Sequence, residues 1–187
     1  LEDIIREPVP VLILAGIELH DKNAAKELKK ARYLAHNVLV EVTCLAEAQA
    51  AQAAGYDGVI IKGNEAGGLV GNETSFVQLQ CLHKKLDIPY WVQGGIGLHT
   101  AAATKAAGAT GVVLCEQLWL TDESPLSLKE RKRWEQLDGS ETTCIGQEDE
   151  WFRCFSRSGQ VKLRNLELSL ANGSKWLAEL NSYLLRN

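Results

Sequence analysis

The chain has no methionine and begins at Leu1, which leads us to expect a piece of a longer polypeptide. It has no apolar run near the roughly 18 residues that cross a bilayer, and no secretory leader opens it. A membrane role is therefore not expected, and a reducing cytoplasm is the expected setting. Long basic runs are missing too, and the formal net charge of -4 argues against a dedicated nucleic-acid binder. The five cysteines, Cys44, Cys81, Cys115, Cys144 and Cys154, are odd in number and never spaced Cys-x-x-Cys, so neither a disulfide framework nor a zinc site is supported. His20, His36, His83 and His99 lie far apart, without the local spacing of metal ligands. They read as surface or helix-end residues, with His99 alone following a glycine-rich strand end.

What is present is a regular alternation. The 187 residues, 45% of them hydrophobic, suffice for a packed core. Short apolar runs predict strands over 11–15, 38–43, 58–62, 90–93 and 111–115. Helical patterns predict helices over 23–36, 45–54, 74–86 and 100–107, several of them stopped by glycine. Strictly alternating β and α elements with near-continuous apolar strands imply a parallel sheet covered by helices. Ala53-Ala-Gly-Tyr-Asp-Gly-Val59 recurs as Ala106-Ala-Gly-Ala-Thr-Gly-Val112 at two helix-to-strand corners. That echo fits either a general preference for Ala-Gly at such corners or a repeated βα architecture such as a barrel.

From Pro125 the character changes. Lys129 to Trp134 reads as a charged helical turn with a solvated face, and Trp151 to Ser158 as a strand or hairpin. Leu163 to Leu170 and Ser174 to Leu185 read as amphipathic helices. We therefore divide the chain into a βα part, 1–124, and an appended, mainly helical region, 125–187.

Two strand ends carry the chemical signal. Lys62-Gly63-Asn64-Glu65-Ala66-Gly67-Gly68 closes one apolar run, and Gln93-Gly94-Gly95-Ile96 closes the next. Glycine lets backbone N–H groups approach a phosphate, and a following helix N-terminus adds a favourable dipole. The pair points to an anionic cofactor lying across neighbouring strands. Cys115 ends a strand without an evident paired base and reads as a packed residue rather than a nucleophile. The five tryptophans read as packing residues, with Trp119 and Trp151 placed to help cover a cofactor.

These motifs, together with Val42-Thr43 before an Ala/Glu-rich helix, Gly111-Val-Val-Leu-Cys-Glu-Gln117 and Thr121-Asp-Glu-Ser124, resemble the C-terminal half of a flavin-dependent TIM barrel of the nitronate monooxygenase family. Flavin-type enoyl-acyl-carrier-protein reductases are related to that family. Lys62 to Gly68, Glu73-Thr-Ser-Phe76, Gln117 and Asp138-Gly-Ser-Glu-Thr142 are similar to the version embedded in polyketide or fatty-acid synthases. The resemblance implies FMN at the C-terminal ends of the strands, where barrel enzymes place their chemistry. It assigns backbone N–H groups of Gly94, Gly95, Cys115 and Glu116 to the phosphate, and Lys62 to the flavin or its ribityl chain. Gly67 and Gly68 would let the loop approach the cofactor, and Gln93 and Gln117 would supply amide hydrogen bonds.

Three departures stand out. Where relatives carry a proton-transferring histidine after Gly-Gly, this chain has Leu69; where they have Gly-Thr against the phosphate, it has Cys115-Glu116; and Glu41 replaces a lysine found in some. The expected function is an FMN-dependent oxidoreductase-like domain with NAD(P)H as possible reductant and a small-molecule or acyl-thioester substrate. A non-catalytic scaffold or docking barrel and a residual nitronate monooxygenase are the alternatives. A complete barrel has eight βα units and typically about 250 residues, so the rest of the barrel, and synthase domains, are expected partners within a longer polypeptide.

Overall fold

The structure, a computed structural model, describes residues 7–19, 23–147 and 150–156. Its first layer is a parallel sheet built from β1 (Val9–Leu14), β2 (Ala35–Val42), β3 (Gly58–Lys62), β5 (Tyr90–Gln93) and β6 (Gly111–Val113), paired in that order. The intervening β4 (Gly68–Val70) belongs to a second sheet. Helices α1 (Asn23–Ala31), α2 (Leu45–Ala54), α3 (Ser75–Leu82) and α4 (Leu98–Ala106) connect the parallel strands. Each strand pairs with its predecessor and never reverses direction along the sheet, so right-handed crossovers place all four helices on one face. That is the singly wound arrangement of a (β/α) barrel arc, with the other face directed at the lumen.

The two faces separate by register. Val40, Val42, Val59, Ile61 and Val92 are fully buried in the core against the helices. Neighbours Glu41, Ile60, Trp91 and Gly111 lie in one lumenal row, and Lys62, Gln93 and Val113 in the next. The Trp91 indole is wedged between two bare glycines: a Cβ on Gly58 would lie 2.9 Å from its ring and one on Gly111 3.0 Å. Because Ile61 has no exposed surface, Ile61→Val should lower unfolding free energy by about 0.5–1.5 kcal/mol in urea titration, through one lost methylene and the space it leaves.

Local chemistry sets the corners. Helix α2 ends on Gly55 in the left-handed region (φ 90), whose N–H returns to the carbonyls of Ala51 and Gln52. Asp57 then accepts from the Val38 N–H at 2.8 Å and from Arg32, tying the start of β3 to β2. The predicted helix over 23–36 stops at Ala31, because residues 35 to 37 extend β2 to pair with β1 over Val9↔Ala35 and Val11↔Asn37. The predicted helix over 74–86 becomes α3, capped by the Thr74 hydroxyl and ending at Leu82, with Lys84 left-handed at φ 56. Pro10 lies in β1, the edge strand of the sheet, where a missing N–H costs least.

The second layer is antiparallel. Strands β7 (Thr142–Gln147) and β8 (Glu150–Phe155) form a hairpin, and β8 pairs with β4 in the register Gly68↔Arg153, Leu69↔Phe152 and Val70↔Trp151. Before it come a 3₁₀ turn, Glu116–Leu120, and α5 (Leu128–Trp134), which starts on a Ser127–Glu130 capping box. The reading of 151–158 as a strand or hairpin is met by β8; the helices expected over 163–170 and 174–185 lie outside the described residues.

Candidate functional site at the strand ends

Strands β3, β5 and β6 end in register, Lys62 beside Gln93 beside Val113, so the three following loops emerge together. The loop after β3 is anchored to its neighbour: the Gly63 N–H donates to the Gln93 carbonyl at 3.1 Å and the Ala66 N–H to the Gly63 carbonyl at 3.0 Å. It returns through β4, where the Gly71 N–H donates to the Lys62 carbonyl at 3.2 Å. Glu65 holds this excursion in place, its carboxylate accepting from the Ser75 N–H at 2.9 Å and the Ser75 hydroxyl at 3.2 Å.

Seven of the nine expected site residues converge. Gly67, Gln93, Gly94, Gly95, Cys115, Glu116 and Gln117 surround one small cavity of about 30 Å3 at the ends of β5 and β6. It adjoins a larger cavity of about 360 Å3 that shares Gly67, Gly95, Glu116 and Gln117 and is also lined by Trp134, Glu141, Thr142, Arg153 and Phe155. Lys62 and Gly68 line neither cavity; they lie close to each other, with the ammonium 3.6 Å from where a Cβ on Gly68 would be.

The rim glycines divide by what surrounds them. A Cβ on Gly94 (φ 112) would come within 2.9 Å of the Ala66 nitrogen, so this glycine serves the chain's own loop packing. On Gly67 or Gly95 (φ 58) it would meet only carboxylate oxygen or side chain at 3.5 Å and beyond, from Glu116 and Glu65 respectively. These two positions are open towards the cavity. Gly97 begins α4 without a side-chain cap, leaving its first-turn donors to other acceptors.

The amides are engaged within the protein. Gln117 bridges the two strand ends, donating to the Ile96 carbonyl at 2.9 Å while its oxygen accepts the Cys115 N–H at 3.1 Å. The Cys115 N–H, expected to face a phosphate, is thus already used. The Gln93 amide lies 3.0 Å from the Cys115 sulfur. Burial first, and the Glu116 carboxylate second, push the Cys115 thiol above its ordinary range, which keeps it protonated and unsuited to nucleophilic attack.

Lys62 is paired, 3.1 Å from Glu41 across β2 and β3, with side chains only 7% and 21% exposed. Glu41 therefore neutralises Lys62 below the rim. Leu69 sits in β4 opposite Phe152, half-buried. His99 occupies the first turn of α4 and is exposed, and His83 contacts the Ala107 carbonyl at 3.3 Å. Trp119 stacks on Trp134 with ring centroids 6.4 Å apart, and Trp134 meets Phe155 edge-on at 5.9 Å. Glu65 and Arg153 were not picked out as functional from sequence. Glu65 stood inside the quoted glycine motif, whereas Arg153 stood in the segment read as a strand or hairpin, where only Trp151 was connected with a cofactor.

Fold and site together define a singly wound α/β barrel arc with a glycine-rich rim at the C-terminal strand ends. Residues 1–146 match the family model for nitronate monooxygenase, and the chain belongs to that family. Among curated proteins none matches. Among solved structures, the chain is similar to FabK from Thermotoga maritima, at 23% identity and TM-score 0.73 over 95% of this chain and 55% of that one. A point variant of the same protein matches at 23% identity and TM-score 0.69 over 83% and 50%. Nitroalkane oxidase from Streptomyces ansochromogenes matches at 28% identity and TM-score 0.55 over 69% and 40%. The chain thus spans about half the length of these structures. Family membership supports a flavin oxidoreductase type of domain, and the open glycines Gly67 and Gly95 with the uncapped start of α4 fit the close approach of a phosphate-bearing cofactor.

Proposed function

We propose that this chain forms the phosphate-holding side of an FMN-dependent oxidoreductase that uses NAD(P)H and acts on an enoyl thioester or related acyl intermediate, within a longer, synthase-type polypeptide. The observation that carries this reading is the convergence of Gly67, Gly95, Glu116 and Gln117 on one cavity at the ends of three parallel strands. Bound flavin would supply hydride transfer. Gly95 and the first turn of α4 would receive the phosphate through backbone N–H groups, and the Gln117 bridge would keep the two strand ends at fixed separation. Leu69 has no proton to give, so solvent or a residue outside 1–187 would supply one. On this reading residues 1–124 are the barrel part and 125–187 an appended region.

The test is flavin absorbance of the purified full-length protein, followed by NAD(P)H oxidation with and without an enoyl thioester. Stoichiometric FMN and thioester-dependent oxidation are expected. Failure to bind FMN at saturating addition would remove the enzyme reading. A non-catalytic barrel, favoured by Leu69 and by the carboxylates of Glu65 and Glu116 at the rim, would bind neither reductant nor thioester productively. A residual nitronate monooxygenase would instead show nitronate-dependent oxygen uptake.

A further inference from the structure

We infer that Arg153, delivered by the β7–β8 hairpin, is the cationic anchor for the phosphate monoester of the flavin nucleotide. The inference rests on the flavin reading above and adds a residue far from the glycine motifs. Register puts Arg153 directly across from Gly68, at the rim. Its Nε–H donates to the Asn64 carbonyl and one terminal nitrogen donates to the Thr142 hydroxyl at 2.8 Å. Two neutral acceptors therefore orient the guanidinium and leave further N–H donors of its fork uncommitted by these contacts. Among the described residues no carboxylate lies within ion-pair distance of it, although it is half-buried. A partly desolvated guanidinium without a counter-charge is a costly arrangement unless an anion completes it, and its planar fork matches phosphate oxygens.

The cavity shows why such a cation is needed. Arg153 lines the 360 Å3 space with Gly67, Gly95 and Gln117, and Glu65 and Glu116 line it too. The Glu65 carboxylate is engaged by Ser75, and the Glu116 oxygen faces Gly67. Glu141, whose carboxylate accepts from the Gly139 N–H at 3.1 Å, lines the space as well, and a phosphate dianion entering among three carboxylates is repelled unless a positive group lines it too. With the Cys115 N–H taken by Gln117, backbone donors alone are fewer than the family pattern implies. A guanidinium lining the same space supplies both the charge and paired hydrogen bonds.

The experiment titrates the full-length wild-type protein, Arg153→Gln and Arg153→Lys with FMN and with riboflavin, which lacks the phosphate, following flavin fluorescence. Arg153→Gln should weaken FMN binding about 10- to 100-fold, as expected for a lost charge-assisted hydrogen bond, and leave riboflavin affinity unchanged. Arg153→Lys should restore part of the FMN affinity, and the salt sensitivity that FMN binding shows in the wild type should fall in Arg153→Gln. Equal weakening of both flavins, or no change for FMN, overturns the role of Arg153 while the flavin reading stands. Wild-type protein that binds neither flavin overturns both. The thermal midpoint of each apo variant shows whether the hairpin remains folded, and an FMN-selective loss at an unchanged midpoint is the supporting result.

Discussion

Gly63→Ala is expected to destabilise the full-length protein by about 3 kcal/mol or more, the upper end of what overpacking costs. A Cβ at this position would lie 2.2 Å from the Ser75 nitrogen, 2.4 Å from the Glu65 carboxylate and 2.6 Å from the Ser75 Cα. Two of those three atoms are backbone, so no rotamer change can relieve the clash; the start of α3 must move. That movement unseats Glu65 from Ser75 and strains the bond from the Gly63 N–H to Gln93, both of which hold the rim. Urea denaturation should show a large drop in midpoint, with flavin affinity falling alongside it. Gly97→Ser is the control, since a side chain there meets nothing within 4 Å and its hydroxyl can cap α4. Near-equal midpoints for the two variants would refute the packing argument.

The second large effect concerns the buried pair. Removing one partner of a buried ion pair typically costs about 3–5 kcal/mol, because the charge left behind is uncompensated. Lys62→Met strands Glu41, and Glu41→Gln strands Lys62, whose side chain is only 7% exposed. Each single variant should therefore be strongly destabilised, Glu41→Gln the less so because its amide oxygen can still accept from the ammonium. The double variant Lys62→Met with Glu41→Gln should recover most of the loss, since neither charge remains. A double-mutant cycle by urea denaturation measures the coupling. Additive losses would show that the pair does not act as a unit and that Lys62 is stabilised by something else in the lumen.

Much of the sheet was readable from residues in order. Each of the five parallel strands announced itself as a short apolar run, because strands packed between helices and lumen lose the polar alternation of half-exposed ones. Boundaries were less legible. Residues 35 to 37 look helical beside an Ala/Lys-rich segment, yet pairing with β1 draws them into β2. The short strand β4 was missed altogether: Gly68-Leu69-Val70 is too brief to show a period, and its partner β8 lies more than 80 residues away in sequence.

The site divides in the same way. Glycine pairs at strand ends are legible, since they answer a local backbone requirement that sequence displays. Which glycines serve packing and which open to a cavity is not, because the answer lies in Ala66, Ser75 and Trp91, brought in from other loops and strands. The carboxylate of Glu41 looked like a lost positive charge, but its side chain reaches from β2 to the ammonium of Lys62 on β3.

The sequence by itself determined the fold class and the glycine rim, because hydrophobic periodicity and backbone freedom are local properties. Only the tertiary structure decided how the rim is charged. Ion pairing and hydrogen bonding depend on distance in space, and the groups concerned are separated along the chain: Lys62 from Glu41, Gln117 from Ile96, and Arg153 from Asn64.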